Sequence, residues 1–163
     1  MVLLVECAEG SMLVDVGFGG SMIKPMPMSK GEASQPPYVL AIGAQDDGYW
    51  RFSERTAGSQ PTWFDFRLTP VGETYFNDVS QQLQTDESSS FRRTLKAQRR
   101  DSETHTILRG CVKTTIGPHG TSSQVLGSAA ELLDCLGHDF QLDVPEIATI
   151  WPVIEQRHQD LFG

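Results

Sequence analysis

The chain of 163 residues is long enough for one ordinary domain with an apolar core, or for two smaller layers. Its formal net charge of −8 argues against binding to nucleic acid or to an anionic membrane, because both require a basic surface. No apolar run approaches the roughly 18 residues of a membrane span. The first ten residues also lack the basic region and the cleavage pattern of a secretory signal. We therefore expect a cytoplasmic protein that binds a small molecule.

The first predicted element is a β-hairpin. Alternating apolar residues predict strands from Val2 to Cys7 and from Ser11 to Val16, joined by a two-residue turn at Glu9 and Gly10. The 15 glycines and nine prolines of the chain predict many further turns, and with them a fold rich in strands.

Asp15 is the anomaly of this hairpin, because a buried carboxylate costs several kcal/mol unless hydrogen bonds or a charge compensate it. The predicted register places Leu4 opposite Asp15. Two interpretations stay open at this point. Either Asp15 accepts N–H bonds from the glycine-rich turn that follows, or it has a catalytic role.

The next elements are a loop and more strands. Four prolines make residues 22–37 a predicted surface loop. A second hairpin is predicted from Tyr38 to Ala44 and from Tyr49 to Glu54, with Asp47-Gly48 as its turn. A further strand from Trp63 ends before Pro70. Several short strands in succession predict a curled antiparallel sheet or a barrel.

The second half of the chain changes character. A short helix capped by Asp78 is predicted within residues 76–90, and a domain boundary is placed near residue 84. Residues 90–100 and 103–117 are each predicted to form a strand. The clearest helix follows Ser128, with Glu131 completing a capping box and Gly137 at its end. The last segment is predicted to be a helix with Pro152 in its first turn.

Two sequence patterns are candidates for ligand binding. The glycine-rich stretch Gly17-Phe18-Gly19-Gly20 allows a ligand to approach the backbone, although it lacks a phosphate-loop pattern and is equally explained as a tight strand exit. A basic cluster fits either a pyrophosphate or ribose phosphate ligand or, as the sequence favours, a solvated strand face. The cluster consists of Arg92, Arg93, Lys96, Arg99 and Arg100.

The cysteines predict no disulfide framework. Cys7, Cys111 and Cys135 are odd in number and widely spaced, which is typical of reduced thiols. Cys135 and His138 form a C-x-x-H pair, but no second pair completes a zinc site, so Cys135 is predicted to be a core thiol. No metal site is expected.

In combination, these motifs resemble the arylamine N-acetyltransferases. In that family the pattern T-H-M-x-L-L-V leads through a hairpin to L-V-D-V-G-F-G, which "MVLLVE" and "LVDVGFGG" match. The resemblance continues in "WFDFRLTP", "SSSFRRTL", "ILRGCV", "AAELLDCLGHDFQLDVP" and "IWPVIEQRH". It implies an α+β fold, with a β-barrel domain over residues 1–84 and an α/β lid with C-terminal helices over residues 85–163.

The resemblance also implies a Cys-His-Asp triad in which Asp15 is the third member. The family's histidine aligns just before Met1, and the R-G-G-x-C motif of its cysteine is not in the sequence. The chain is therefore expected to be a truncated member that retains only the triad Asp and is inactive alone. Its exposed apolar strand face would include Val2, Leu4 and Leu13, so the chain is expected to self-associate, to be poorly soluble or to need a separately encoded helical lobe.

The implied reaction transfers acetyl from acetyl-CoA to an arylamine, an arylhydroxylamine or a hydrazine through the cysteine. Gly17, Phe18, Gly19 and Phe91 would line the acyl and acceptor pocket. Acetyl-CoA is expected as a co-substrate, with no resident cofactor. Two other hypotheses remain: a non-catalytic chain that binds CoA or a partner chain and, ranked last, an enzyme that uses Cys111 or Cys135, neither of which has a positioned base.

Overall fold

The computed structural model describes residues 2–17 and 20–162, with the side chains of residues 161 and 162 excepted. The chain divides into two compact units. The first comprises Met1–Pro70 together with Arg100–His105 and Ile116–Gly120. The second comprises Val71–Arg99, Thr106–Thr115 and Thr121–Gly163. No helix within the described part of the chain has the length and apolar character needed to cross a bilayer.

Within the described residues 2–17 and 20–70, seven strands form two antiparallel sheets of the first unit. A three-stranded sheet has the order β1-β2-β3, and a four-stranded meander has the order β4-β5-β6-β7. The strands are β1 (Val2–Cys7), β2 (Gly10–Asp15), β3 (Met26–Pro27), β4 (Gly31–Gln35), β5 (Tyr38–Ala44), β6 (Trp50–Thr56) and β7 (Thr62–Phe66).

The first hairpin forms as predicted, but its register differs. Cys7 pairs with Gly10, so the turn residues are Ala8 and Glu9, and Val2 rather than Leu4 lies opposite Asp15. Gly10 accounts for this register, because its φ of +108°, which glycine adopts easily, occurs at the first residue after the turn. Because the pairing shifts by two residues, the face on which Asp15 lies is unchanged.

The loop predicted for residues 22–37 contains two strands that the sequence does not signal. The segment Gly31–Gln35 is polar and lacks β-branched and aromatic residues, so it forms a strand only because it pairs with Tyr38–Ala44. The second hairpin agrees with prediction: Gly48 has a φ of +81°, and its second strand begins at Trp50. Buried side chains of strands β2, β3, β5 and β6 form the core of the first unit, namely Leu13, Met26, Tyr38, Leu40, Ile42 and Phe52.

The second unit consists of helices and most of another four-stranded sheet, with the order β11-β10-β9-β8. Its strands are β8 (Lys96–Arg100), β9 (His105–Arg109), β10 (Val112–Gly117) and β11 (Gly120–Val125), some ends of which belong to the first unit. Its helices are α1 (Glu73–Thr85), α2 (Ser90–Arg93), α3 (Ala129–Phe140), a 3-10 helix (Pro145–Ile150) and α4 (Trp151–Phe162).

Two strand predictions in this half need correction. Residues 90–100 begin as helix α2, because the Ser89 side chain accepts the backbone N–H of Phe91 and caps a helical turn. Residues 103–117 form two strands instead of one, separated at Gly110, which has a φ of +58°. The helix predicted to start at Asp78 begins earlier, at Glu73.

Helix α3 forms with Ser128 as its cap, and its end lies beyond the predicted Gly137. The Ser128 hydroxyl accepts the N–H of Glu131, whereas the Glu131 carboxylate accepts the N–H of Gly127 at 3.0 Å. The helix continues to Phe140, since burial of that ring outweighs the roughly 1 kcal/mol cost of an interior glycine. Residues outside the helix that share its core cluster include Leu108, Cys111, Leu126, Trp151 and Ile154.

The α+β class with antiparallel sheets is confirmed. Among the described residues the strands of the first unit form two open sheets and do not close into a barrel. The domain ranges 1–84 and 85–163 stay a prediction.

Candidate active site

Asp15 lies at the end of strand β2, where the chain enters the glycine-rich stretch. Its carboxylate oxygen Oδ1 accepts the backbone N–H of Gly17 at 3.0 Å, as expected for an aspartate before a tight turn. The side chain is half-buried and lies on the same face as Val2, its cross-strand partner. The hydrogen bond restricts the carboxylate to one orientation.

A cavity of about 430 Å³ adjoins Asp15 within the first unit. Its main wall comes from strands β6 and β7, whose register pairs Phe52 with Phe64 and Trp50 with Phe66. Because cross-strand partners project from the same face, these pairs give an aromatic surface. Asp15 and Val2 also line the cavity.

Glu54 is a second carboxylate in this cavity, and the sequence analysis did not single it out. Its oxygens accept hydrogen bonds from the hydroxyls of Ser21 and Thr62, the latter at 3.2 Å. Strand β6 alternates Trp50, Phe52 and Glu54 on one face, so the signal was available: an acidic residue stands at a position where the pattern requires an apolar one.

The segment that follows the glycine-rich stretch is held by buried polar groups. The Gln35 side chain accepts the backbone N–H groups of Ile23 and Lys24 at 2.7 and 2.9 Å and donates to the Lys24 carbonyl at 2.9 Å. Arg100 donates to the carbonyls of Gln35 and Pro36, each at 2.8 Å. These bonds fix the backbone at residues 23–24 and at Gln35-Pro36.

A tyrosine–histidine pair lies buried in the same unit. The Tyr38 hydroxyl and His105 Nδ1 are 2.7 Å apart. Burial raises the pKa of Tyr38, and the negative charge of Glu54 raises it further, while the Arg100 guanidinium acts in the opposite direction. The neutral phenol is therefore favoured, which leaves Tyr38 as a hydrogen-bonding core residue.

The predicted ligand-binding residues fall in different parts of the chain. Gly17 is exposed and donates its N–H to Asp15, while Phe18 and Gly19 lie outside the described residues. Phe91 belongs to the second unit, where its ring is 76% exposed. That Gly17 and Phe91 line an acyl and acceptor pocket stays a prediction.

The predicted basic cluster does not form one site. Arg92 and Arg93 line a groove in the second unit, whereas Arg99 donates to the Asp139 carbonyl at 3.1 Å. Arg100 belongs to the first unit, where it binds the backbone. The cluster that is continuous in the sequence is therefore divided between the two units.

The groove of the second unit has a volume of about 780 Å³. Two arginines that sequence reasoning missed, Arg109 and Arg157, line it together with Arg92, Arg93 and His158. None of the described residues that line it is acidic. Its apolar surface comes from Phe91, Leu95, Ile107, Val112, Ile150, Val153 and Ile154.

The buried cysteines are not activated nucleophiles. Burial raises the pKa of the Cys111 thiol, and burial together with the Asp139 charge raises the pKa of Cys135 to about 11. Since only the thiolate is a useful nucleophile, both act as core thiols, as the sequence predicted. Within the described ranges, no three His, Cys, Asp or Glu side chains are grouped to hold a metal ion.

Solved arylamine N-acetyltransferases have the same fold. The enzyme of M. smegmatis is 22% identical with a TM-score of 0.82, and the alignment covers 95% of this chain and 58% of that one. The Mycobacterium marinum enzyme in complex with CoA is 21% identical with a TM-score of 0.79, covering 96% and 58%. The Salmonella typhimurium enzyme is 19% identical with a TM-score of 0.78, covering 95% and 60%.

The chain thus spans less than two thirds of the length of these solved structures. No curated protein matches it. A family model described as N-acetyltransferase matches residues 1–149, which include the Asp15 hairpin and helix α3. The chain belongs to the N-acetyltransferase family, and its fold is that of the arylamine N-acetyltransferases.

Proposed function

We propose that this chain is the Asp-bearing part of an arylamine N-acetyltransferase, with Asp15 as the third member of a Cys-His-Asp triad. One observation carries the proposal: the aspartate of the family motif ends strand β2 with its carboxylate fixed by the Gly17 N–H, beside a cavity. A triad needs such a carboxylate to orient the imidazole and to stabilise its charged form.

The histidine and the cysteine of the triad must come from a segment that carries the T-H and R-G-G-x-C motifs. The thiolate attacks the carbonyl carbon of acetyl-CoA, which forms a carbon–sulfur bond to the enzyme and releases CoA as its thiol after protonation. The acceptor nitrogen then attacks the thioester, and the cysteine leaves while the histidine takes up the amine proton. Asp15 contributes to both steps through the histidine.

The groove of the second unit supports acetyl-CoA as the co-substrate. Arg92, Arg93, Arg109 and Arg157 offer charge-assisted hydrogen bonds to phosphates. The apolar surface beside them suits a pantetheine arm, and the exposed Phe91 ring provides a contact for it. Gly17, Phe18 and Gly19 would line the acyl and acceptor pocket, as the family motif implies.

A second candidate function is a non-catalytic chain that binds CoA or a partner chain. Strand β1 favours it: Leu3, Leu4 and Val5 are each about two-fifths exposed, on both faces of an edge strand. Exposed apolar edge strands pair readily with other chains. Self-association through this strand belongs to the same proposal.

The acetyl-transfer assay separates the two functions. The chain is joined to, or mixed with, the T-H and R-G-G-x-C segment of an arylamine N-acetyltransferase, and acetylation of an arylamine or hydrazine is followed. We expect transfer to fall by about 10³- to 10⁴-fold in Asp15→Asn, as in other triads that lose the orienting carboxylate. Asp47→Asn is the matched control, because Asp47 accepts one N–H in an exposed turn.

The 163-residue chain by itself should give no acetylation above background. Turnover by the chain alone that Cys111→Ser or Cys135→Ser abolishes would replace this proposal with a thiol of the second unit as the nucleophile. Turnover in the joined protein that is insensitive to Asp15→Asn would remove the triad role of Asp15.

A further inference from the structure

We propose that Ser21 is a positioning residue, which anchors the end of the glycine-rich stretch and thereby holds the Gly17 N–H against the Asp15 carboxylate. Ser21 lies beyond the family pattern that contains Asp15, because that pattern ends at Gly19. The catalytic role of this anchor rests on the proposed triad function of Asp15, whereas the anchoring itself requires no reaction.

The side chain of Ser21 is buried and bound to another strand. Ser21 is the first residue after the glycine-rich stretch and is only 1% exposed. A buried hydroxyl costs free energy unless it has a hydrogen-bond partner. The Ser21 hydroxyl donates to the Glu54 carboxylate on strand β6, which also accepts the Thr62 hydroxyl of strand β7 at 3.2 Å. Ser21 is therefore tied to a different sheet from the one that carries Asp15.

The backbone that begins at Ser21 is also held by side chains. Arg100 Nη2 donates to the Ser21 carbonyl at 3.3 Å. The Gln35 side chain accepts the N–H groups of Ile23 and Lys24 at 2.7 and 2.9 Å. All of these groups belong to the first unit. The segment after the glycine-rich stretch is thus fixed by side chains from distant parts of the sequence.

The glycine-rich stretch is held on both sides. At its start, the Gly17 N–H donates to Asp15 Oδ1 at 3.0 Å, and directly after it Ser21 is bound to Glu54. Glycine has no side chain with which to restrict its own backbone, so the position of a short glycine-rich segment depends on what holds its ends. Release of Ser21 should therefore allow Gly17 to move away from the carboxylate that it orients.

The anchor affects acetyl transfer only through Asp15. Ser21 is not among the described residues that line the cavity, whereas Asp15 is. A triad carboxylate orients the histidine, and a displacement of about 1 Å in such a group can lower the rate of reaction about 100-fold. Ser21 is therefore a positioning residue and not a catalytic one.

The first test uses the purified chain and follows the Gly17 amide by NMR. The chemical shift of this amide reports the charge of the carboxylate that it binds, so it changes when the solution is acidified from about pH 7 to about pH 3. We expect this change to fall by about half or more in Ser21→Ala, because Gly17 then spends less time in contact with Asp15.

Matched variants separate the hydrogen bond from the charge. The amide oxygen of glutamine still accepts the Ser21 hydroxyl, so Glu54→Gln should keep the Gly17 response. Glu54→Met has a similar length but no oxygen acceptor, and it should reduce the response as Ser21→Ala does, even if Ser21→Ala does not fold. Ser34→Ala removes a hydroxyl from an exposed position of strand β4 in the same unit and should leave the response unchanged.

The second test measures acetyl transfer by the chain combined with the T-H and R-G-G-x-C segment. Ser21→Ala should lower kcat about tenfold and leave the KM of the arylamine within about twofold, because a misoriented triad slows the chemical step. Ser34→Ala should change neither constant.

An unchanged Gly17 response in Ser21→Ala overturns the proposal, and so does an equal loss in Ser34→Ala. An unchanged kcat in Ser21→Ala, where Asp15→Asn abolishes transfer, overturns the positioning role and leaves the triad role of Asp15 intact. If Asp15→Asn does not slow transfer, the triad role fails, whereas the Gly17 response still decides whether Ser21 anchors the glycine-rich stretch.

Discussion

The two units carry opposite charge around their cavities. In the first unit an aromatic wall is combined with the carboxylates of Asp15 and Glu54. In the second unit an apolar groove is lined by four arginines and a histidine, without an acidic residue. The net charge of −8 excluded a broad basic surface, but it says nothing about a local groove. The net charge of the whole chain therefore does not show that the two cavities are lined by charges of opposite sign.

The largest expected effects are on the two cores. Leu40 in the first unit and Leu132 in the second are fully buried. Leu40→Ala and Leu132→Ala should each lower the free energy of unfolding by about 2–5 kcal/mol, because each removes buried methyl groups and leaves a cavity. Unfolding in urea measures the change in the free energy of unfolding. Val125→Ala, at an exposed strand position, should change it by less than about 0.5 kcal/mol. A near-zero effect at either leucine would contradict the described core.

The next effect sharpens the charge comparison. Arg109→Gln and Arg157→Gln should each weaken CoA binding to the chain by about tenfold, because each removes a charge-assisted bond of about 1.5–3 kcal/mol. Calorimetric titration measures the change. Arg67→Gln removes the same charge from the first unit, where Arg67 lies over the Tyr49 ring, and should leave CoA affinity unchanged. An equal loss of CoA affinity in all three variants would show that CoA is attracted by the overall charge of the chain and not bound by the groove.

A smaller effect concerns the cap of helix α3. Ser128→Ala should reduce stability by about 0.5–2 kcal/mol, since the N–H of Glu131 loses its acceptor. Thermal unfolding provides the measurement. Ser122→Ala, at an exposed position of strand β11, is the control and should have almost no effect. If the two serine variants were equally stable, the cap would not contribute.

The smallest expected effect depends on pH. Hydrogen bonds from Thr104 and from the backbone of Glu103 lower the pKa of Asp101 from 3.8 to about 2. Because the pKa of Asp101 is lower in the folded state than in the unfolded state, its ionised carboxylate stabilises the fold. This stabilisation is complete above about pH 4 and is lost as the pH falls towards 2. Asp101→Asn should therefore flatten stability against pH in that window. An unchanged acid slope would show that Asp101 is not constrained in solution.

Much of the fold could be predicted because local signals and tertiary pairing agree. Asp47-Gly48 marks a turn whose glycine has a positive φ, and Ser128 marks a cap whose hydroxyl accepts an N–H. Strand β4 could not be predicted, because its polar residues become a strand only by pairing with β5. The predicted register of the first hairpin is wrong by two residues, because the sequence allows a turn at either Glu9-Gly10 or Ala8-Glu9. Only the strand pairing in the structure selects Ala8-Glu9.

The candidate site was only partly predictable, for a similar reason. Asp15 stands out locally, as an acid inside an apolar strand before glycines. Glu54 also has a local signal, as an acid at an apolar position of strand β6, but its contacts with Ser21 and Thr62 become visible only in the structure. The groove draws Arg92, Arg109 and Arg157 from distant parts of the second unit, whereas sequence reasoning grouped neighbours along the chain.

The position of the acetyl group on the assembled protein decides whether Asp15 acts in a Cys-His-Asp triad. The chain, combined with the T-H and R-G-G-x-C segment, is mixed with acetyl-CoA without an acceptor, and the acetylated cysteine is located by mass spectrometry. We expect acetylation of the cysteine in that segment, slowed by Asp15→Asn, and none on Cys7, Cys111 or Cys135. Acetyl transfer to Cys111 or Cys135, at a rate that Asp15→Asn does not change, would contradict it.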